Sequence, residues 1–234
     1  MPTSSQSGES DPPPVPWPDL VKFIRQLSHD IRNNLNAVEL QSAYLAELAT
    51  DDEMKNEVQR LREMVSHVGV SLQGLTSGLS KVKPTLISYK AAEFVEDLKQ
   101  KVAKELPDQA NKISWDVQLK HTILQIDPQL AQQAFLELFE NAFQHERNVK
   151  SITAKAYLDQ NSFVFKLIEP KTSFLSTENW GREPFRSVSQ GHYGIGLNRA
   201  SSIAEAHGGT FCAKYDRNAS TLTTWLTFPI EKFE

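Results

Sequence analysis

The sequence predicts an α+β chain in which a long helical hairpin, dimerising into a four-helix bundle, precedes an α/β sandwich. Three patterns carry this. Between residues 20 and 48, Leu20, Ile24, Leu27, Ile31, Leu35, Val38, Leu45 and Leu48 fall on one stripe with helical spacing. A second run, Val58, Leu61, Val65, Val68, Leu72, Leu75, Leu79 and Val82, alternates gaps of three and four residues, which is a heptad seam. After Pro84 the pattern changes to short alternating strands and amphipathic helices.

Composition narrows the function classes. The chain has 234 residues, 39% hydrophobic, enough for one substantial domain or two small ones with a buried core. A net charge of −4 gives no basis for nucleic-acid binding. The single cysteine, Cys212, excludes an intramolecular disulfide and fits a reducing cytoplasm. No apolar run reaches the roughly 18 residues a membrane span needs, and the N-terminus has no apolar signal core. A cytoplasmic protein without a membrane span is expected.

The elements follow in order. Residues 1–18 are rich in Ser, Pro and acid. The run Pro12-Pro13-Pro14-Val15-Pro16-Trp17-Pro18 lacks the donors a helix needs, so a flexible Pro-rich arm is expected. Asp19 caps a first helix that runs to Ala49. Thr50-Asp51-Asp52 interrupts the stripe and caps a second helix from Asp52 to Val82. Gly69, Gly74 and Gly78 make that helix depend on packing. Two long helices with a short turn form a hairpin that leaves apolar surface uncovered. A second copy closes it, so a homodimer through residues 19–83 is expected. The seam by itself would also suit a plain dimeric coiled coil.

Residues 84–234 form the second domain. A first strand, Thr85–Ser88, leads to a helix over Ala91–Leu106 that buries Phe94, Val95, Leu98 and Val102 and stops at Pro107. Strands follow at Lys112–Leu119 and Thr122–Ile126. Asp127 caps a helix with Pro128 at its first position, reaching His145. Ser151–Leu158 and Ser162–Ile168 pair across an Asp159-Gln160-Asn161 turn. A helix over Leu197–Ala206 ends at Gly208-Gly209, and Thr210–Tyr215 with Thr221–Phe228 close the sheet.

The first helix carries a chemical constellation. His29 stands two residues from both Leu27 and Ile31, so at about 100° per residue its ring lies opposite the apolar stripe. A core histidine would lie on the stripe; an ordinary surface histidine would not. Asp30 follows and can orient the imidazole, leaving the other nitrogen as a nucleophile. Asn33, one turn on, reaches the same exposed patch. The run Ser28-His29-Asp30-Ile31-Arg32-Asn33-Asn34-Leu35 resembles the phosphoacceptor box of two-component sensor histidine kinases, with Asn34 where that family commonly has a helix-bending proline. The resemblance implies that His29 accepts a phosphoryl group and exchanges it with an aspartate on a response-regulator receiver domain.

A second constellation lies in the C-terminal domain. Glu137-Leu138-Phe139-Glu140-Asn141-Ala142-Phe143-Gln144-His145 puts Glu137 and Asn141 one turn apart, a spacing that suits a hydrated Mg²⁺ beside a triphosphate but also a plain solvated face. Its spelling resembles the N box of the GHKL ATPases. Gly194-Ile195-Gly196-Leu197 runs into a helix, where backbone amides and the helix dipole favour phosphate, and resembles the G2 box. The following helix ends in His207-Gly208-Gly209, as in that family, and Glu183-Pro184-Phe185-Arg186 resembles its F box. The motifs occur in order over residues 20–230. They imply a GHKL-type α/β sandwich binding ATP and Mg²⁺. Asn141 and Glu137 would stand at the metal, and Gln144, His145, Glu169, Gly194, Gly196 and Leu197 at the nucleotide.

The sequence departs from this pattern at the G1 box. Where the family reads Asp-x-Gly-x-Gly, this chain reads Glu169-Pro170-Lys171-Thr172-Ser173, and His192 replaces the first glycine of the G2 box. Glu169 keeps the carboxylate that would accept from the adenine amino group but extends it by a methylene. Lys171 stands either in adenine space or against a phosphate. Three readings follow. The leading one is a cytoplasmic histidine kinase that autophosphorylates His29 from ATP and passes the group to a regulator. The second is a histidine phosphotransferase or phosphatase with a C-terminal domain that does not bind ATP. The third is a non-enzymatic dimeric scaffold.

Overall fold

The computed structural model describes residues 16–119, 122–144, 151–172, 180–181, 184 and 194–230. The chain divides into two compact units, Met1–Ser77 and Gly78–Glu234.

The first unit holds α1 (Trp17–Leu48) and nearly all of α2 (Asp52–Gly78), the expected helical hairpin. The start of α1 differs from expectation. Pro16 is the cap residue, and its carbonyl accepts from the N–H groups of Asp19 and Leu20 at 3.0 and 3.1 Å. Asp19 therefore sits inside the first turn, where its charge complements the helix dipole. Pro18 fits there because first-turn N–H groups have no intrahelical acceptor. Asp51 caps α2 through its Oδ1, which accepts from the Met54 N–H at 2.7 Å. This helix stops at Gly78 rather than Val82. Glycine is the weakest non-proline helix former, and Pro84 forces extended backbone just beyond.

The apolar stripe of α1 is wider than α2 covers. Ser28 and Ser42 are buried and Ile24, Ile31 and Leu35 half-buried, but Leu27, Val38, Leu45 and Leu48 remain exposed. On α2, Leu61, Met64 and Val68 are exposed as well.

Among the described residues the second unit has two sheets. Strands β1 (Ile87–Lys90) and β3 (Ile123–Ile126) pair antiparallel. The main sheet holds β2 (Ile113–Gln118), β4 (Ile152–Asp159), β5 (Ser162–Pro170), β6 (Thr210–Asp216) and β7 (Thr221–Pro229) in the order β2-β4-β5-β7-β6. Among the described strand pairs only β2–β4 is parallel. Its helices are α3 (Ala91–Glu105), the short α4 (Pro107–Ala110), α5 (Pro128–Gln144) and α6 (Gly196–Ala206). Pro107 ends α3 as expected, and it also opens α4 at the first helical position.

Strand alternation sends Ala154 and Ala156 of β4, Phe163, Phe165 and Leu167 of β5, and Leu226 and Phe228 of β7 to the buried face. The small residues on β4 leave room for rings from the helices. Phe135 of α5 lies 4.5 Å from Phe165 and 5.7 Å from Phe228, centroid to centroid. Each such ring stabilises the fold by about 1.5–3 kcal/mol.

His207 closes the end of this layer. Its Nδ1–H donates to the Ile203 carbonyl at 2.7 Å, and its Nε2 accepts from the Asp127 N–H at 3.0 Å. Asp127 in turn caps α5, its Oδ1 accepting from the N–H groups of Gln129 and Leu130 at 3.2 and 3.1 Å. A buried, doubly satisfied histidine thus fixes where α5 starts.

Candidate functional site

His29 stands on the solvent side of α1 with its side chain 66% exposed, as its position opposite the stripe requires. Its Nδ1 is 3.2 Å from Asp30 Oδ1, and Asn33 Nδ2 approaches the same nitrogen at 3.4 Å. Gln26 Nε2 donates to Asp30 Oδ1 at 2.9 Å, which holds the carboxylate in place. The shorter contact suits a proton on Nδ1 that donates to the Asp30 carboxylate, in which case the Asn33 amide nitrogen is a neighbour of Nδ1 and not a hydrogen-bond partner. The lone pair is then on Nε2, which is free to attack. The structure therefore brings His29, Asp30 and Asn33 together on one helical turn and a half.

In the second unit, Glu137 and Asn141 lie one turn apart on α5, both half-buried. Helix α6 begins at Gly196, and a Cβ there would collide with the Glu137 carboxylate. Only glycine lets that carboxylate reach the positive end of the helix. Gly194 takes φ +64°, the left-handed region that favours glycine. Leu197 packs against the core. The Gln144 backbone closes α5; His145, Glu183, Phe185, Arg186 and His192 lie outside the described residues.

Arg199 is a neighbour that sequence reasoning missed. Its residue is 8% exposed, and its Nη1 donates to the Ser80 carbonyl at 2.7 Å. It ties α6 to the segment that follows α2. Only its place three residues after Gly196 hinted at a role. Burial pushes the Glu137 carboxyl up to about 7; the charge of Glu140 adds to this and Arg199 opposes it. Burial also lowers Arg199, an effect the Glu137 charge counters.

The Glu137 shift has a measurable sign. Between its ordinary value of 4.5 and about 7, the folded protein keeps a proton that the unfolded chain releases. Stability is then full below pH 4.5 and falls as pH rises to 7, by up to about 3 kcal/mol. Glu137→Gln is expected to remove this slope: denaturant melts should match the parent protein in acid and show a more stable variant in mild alkali. An unchanged slope would rule out Glu137 as its source.

Glu169 and Lys171 are placed differently from a nucleotide-binding arrangement. Strand β5 carries Glu169 on its buried face, 2% exposed. Lys171, 6% exposed, donates from Nζ to Glu169 Oε2 at 2.9 Å. The Lys171 backbone is anchored too. Its N–H donates to the Ser220 carbonyl at 2.8 Å, and its carbonyl accepts from the Tyr215 hydroxyl at 3.0 Å. The lysine side chain therefore meets the Glu169 carboxylate. Asn141, Gly194 and Gly196 fit the phosphate side of an ATP site, but the carboxylate that would receive the adenine amino group already holds an ammonium. Among the described residues, the adenine end of such a site is taken up by the Lys171 ammonium.

No family model and no curated protein matches the sequence. Solved structures do match. Full-length ShkA in complex with AMPPNP aligns with a TM-score of 0.68 at 18% identity, over 91% of this chain and 46% of that one. The chain thus spans about half the length of that protein. The histidine kinase AdeS of Acinetobacter baumannii aligns at 0.52 and 15% identity over 87% of this chain and 98% of that one. A mycobacterial sensor histidine kinase, MprB, aligns at 0.51 and 15% identity over 64% of this chain and 100% of that one. Among the described residues no helix is long and apolar enough to cross a membrane. With its helical hairpin followed by a GHKL-like mixed α/β domain, the chain has the fold of a histidine kinase core.

Proposed function

We propose that the chain exchanges a phosphoryl group between His29 and an aspartate of a response-regulator receiver domain, with the cytoplasm as the compartment. The observation that carries this reading is the exposed His29 ring, whose Nδ1 is engaged by Asp30. Nε2 attacks the phosphorus of a phosphoaspartate. The N–P bond forms as the P–O bond to the aspartate breaks, and the carboxylate leaves with the electron pair. The ring then carries positive charge, with its proton still on Nδ1 beside Asp30. That carboxylate stabilises the charge as it develops. Transfer to a second receiver aspartate reverses each step, so no further reactant is consumed.

The exposed apolar residues Leu27, Val38, Leu45, Leu61, Met64 and Val68 support a homodimer through residues 19–83. Asn33 supports a second role, orienting a water against the receiver's phosphoaspartate. Hydrolysis would release inorganic phosphate and return the carboxylate. Asn33→Ala is expected to slow regulator dephosphorylation by about tenfold or more while changing transfer less than about twofold. Equal losses would remove the water-positioning role.

The test of the main reading is direct. The chain is mixed with a phosphorylated receiver domain, and acid-labile, alkali-stable phosphate is mapped by mass spectrometry. Phosphate on the His29 peptide supports the reading; phosphate elsewhere, or none, overturns it. Autophosphorylation of His29 from ATP is a second reading, favoured by the retained Asn141, Gly194 and Gly196.

A further inference from the structure

We infer that Lys171 occupies the adenine end of the C-terminal domain's site, so that phosphate reaches His29 from a receiver phosphoaspartate and not from a nucleotide. This deepens the proposed phosphoryl exchange and rests on it.

Adenine is bound in water-excluded sites through its exocyclic amino group, which donates a hydrogen bond and needs a buried acceptor. Glu169 is the carboxylate placed for this, and its Oε2 accepts from Lys171 Nζ at 2.9 Å. An ammonium is the stronger donor, because its charge meets the carboxylate charge. An adenine amino group is neutral. A carboxylate can accept several hydrogen bonds, so the obstacle is the lysine side chain itself, buried to 6% exposure and set against Glu169. A base seated there would have to displace it, leaving the carboxylate with a weaker partner. That exchange is unfavourable by the same physics that makes breaking a buried ion pair costly.

The backbone that carries Lys171 is fixed as well. Its N–H and carbonyl are both bonded to the turn and strand of the β6–β7 hairpin, through Ser220 and Tyr215. Its φ is not positive, so the chain does not adopt at 171 the backbone that a glycine would allow. The side-chain volume that replaces a hydrogen at this point lies beside the Glu169 carboxylate. The lysine thus supplies in cis the hydrogen-bond donor that a nucleotide base would bring in trans.

The experiment uses the full chain and three donors: γ-labelled ATP·Mg²⁺ at millimolar concentration, the small donor phosphoramidate, and a phosphorylated receiver domain. Label on His29 from phosphoramidate and from the receiver, with none from ATP above a His29→Gln background, supports the inference. Label from ATP overturns it while leaving the exchange reading intact. No label on His29 from any donor overturns both, since the inference rests on that reading.

Calorimetry with ATP·Mg²⁺ then tests the residue itself. The parent chain is expected to give no binding heat at millimolar nucleotide. Lys171→Gly opens the site, and Glu169→Gln/Lys171→Gly opens it without stranding a charge. At least one is expected to bind with an affinity raised about tenfold or more above the parent's limit. Binding by the parent chain, or no gain in either folded variant, overturns the role given to Lys171.

Discussion

His29→Gln is expected to abolish phosphoryl exchange, by more than about 10³-fold, while leaving the fold unchanged. The amide of glutamine keeps the size and polarity of the site but has no nucleophilic lone pair to form an N–P bond. Because the His29 side chain is 66% exposed and faces away from the hairpin's buried side, the change in stability should stay within about 0.5 kcal/mol. Two measurements check this: acid-labile phosphate after incubation with a phosphorylated receiver, and a thermal melt. A variant that still carries acid-labile phosphate would move the acceptor to another histidine. His67 on α2 would be the next to replace. A variant that loses transfer together with its fold would say nothing specific about His29, which is why the melt belongs to the same experiment.

The second large effect is structural. Lys171→Met is expected to destabilise the protein by about 3–5 kcal/mol at neutral pH, because it leaves the Glu169 carboxylate buried without its ammonium. Methionine has nearly the length of the lysine stem, so the loss reports charge and not a cavity. The cost should shrink in acid, where a stranded carboxyl takes up a proton and no longer needs a cation. The double variant Glu169→Leu/Lys171→Met removes both charges, and its stability should return to within about 1 kcal/mol of the parent or exceed it. Urea melts of the two single replacements and the double give the coupling. A Lys171→Met variant as stable as the parent would mean that the pair contributes nothing to the fold, and would weaken the case that Lys171 is held in place. The pair is thus accessible through stability alone, without any nucleotide.

Much of the candidate site was legible because it is local. His29, Asp30 and Asn33 share a turn and a half of one helix, and the periodicity of that helix already sets which face they occupy. The order of strands and helices in the second unit followed from alternation and stop signals in the same way. Boundaries were less legible. The first helix starts at Trp17 and not Asp19, since prolines in a first turn cost no hydrogen bond. The second stops at Gly78 although its heptad seam continues to Val82, because side-chain spacing does not register the backbone cost of glycine and a nearby proline.

The Glu169–Lys171 contact lies between these cases. Residues two apart at a strand end point to the same face, so their proximity was readable from the period alone. Their burial was not, because it depends on what else packs against that face. The same holds for Glu137. Its place on the helix shared with Asn141 came from sequence, whereas its contact with Gly196 and its electrostatic coupling to Arg199 join residues about sixty positions apart. By itself the sequence determined the fold class, the hairpin with the exposed face that carries His29, and the direction of each amphipathic element. Tertiary structure alone decided that the Glu169 carboxylate is buried against a lysine of its own chain. Desolvation makes that pairing matter: on an open surface the two charges would scarcely attract, and in the interior neither can be left without the other.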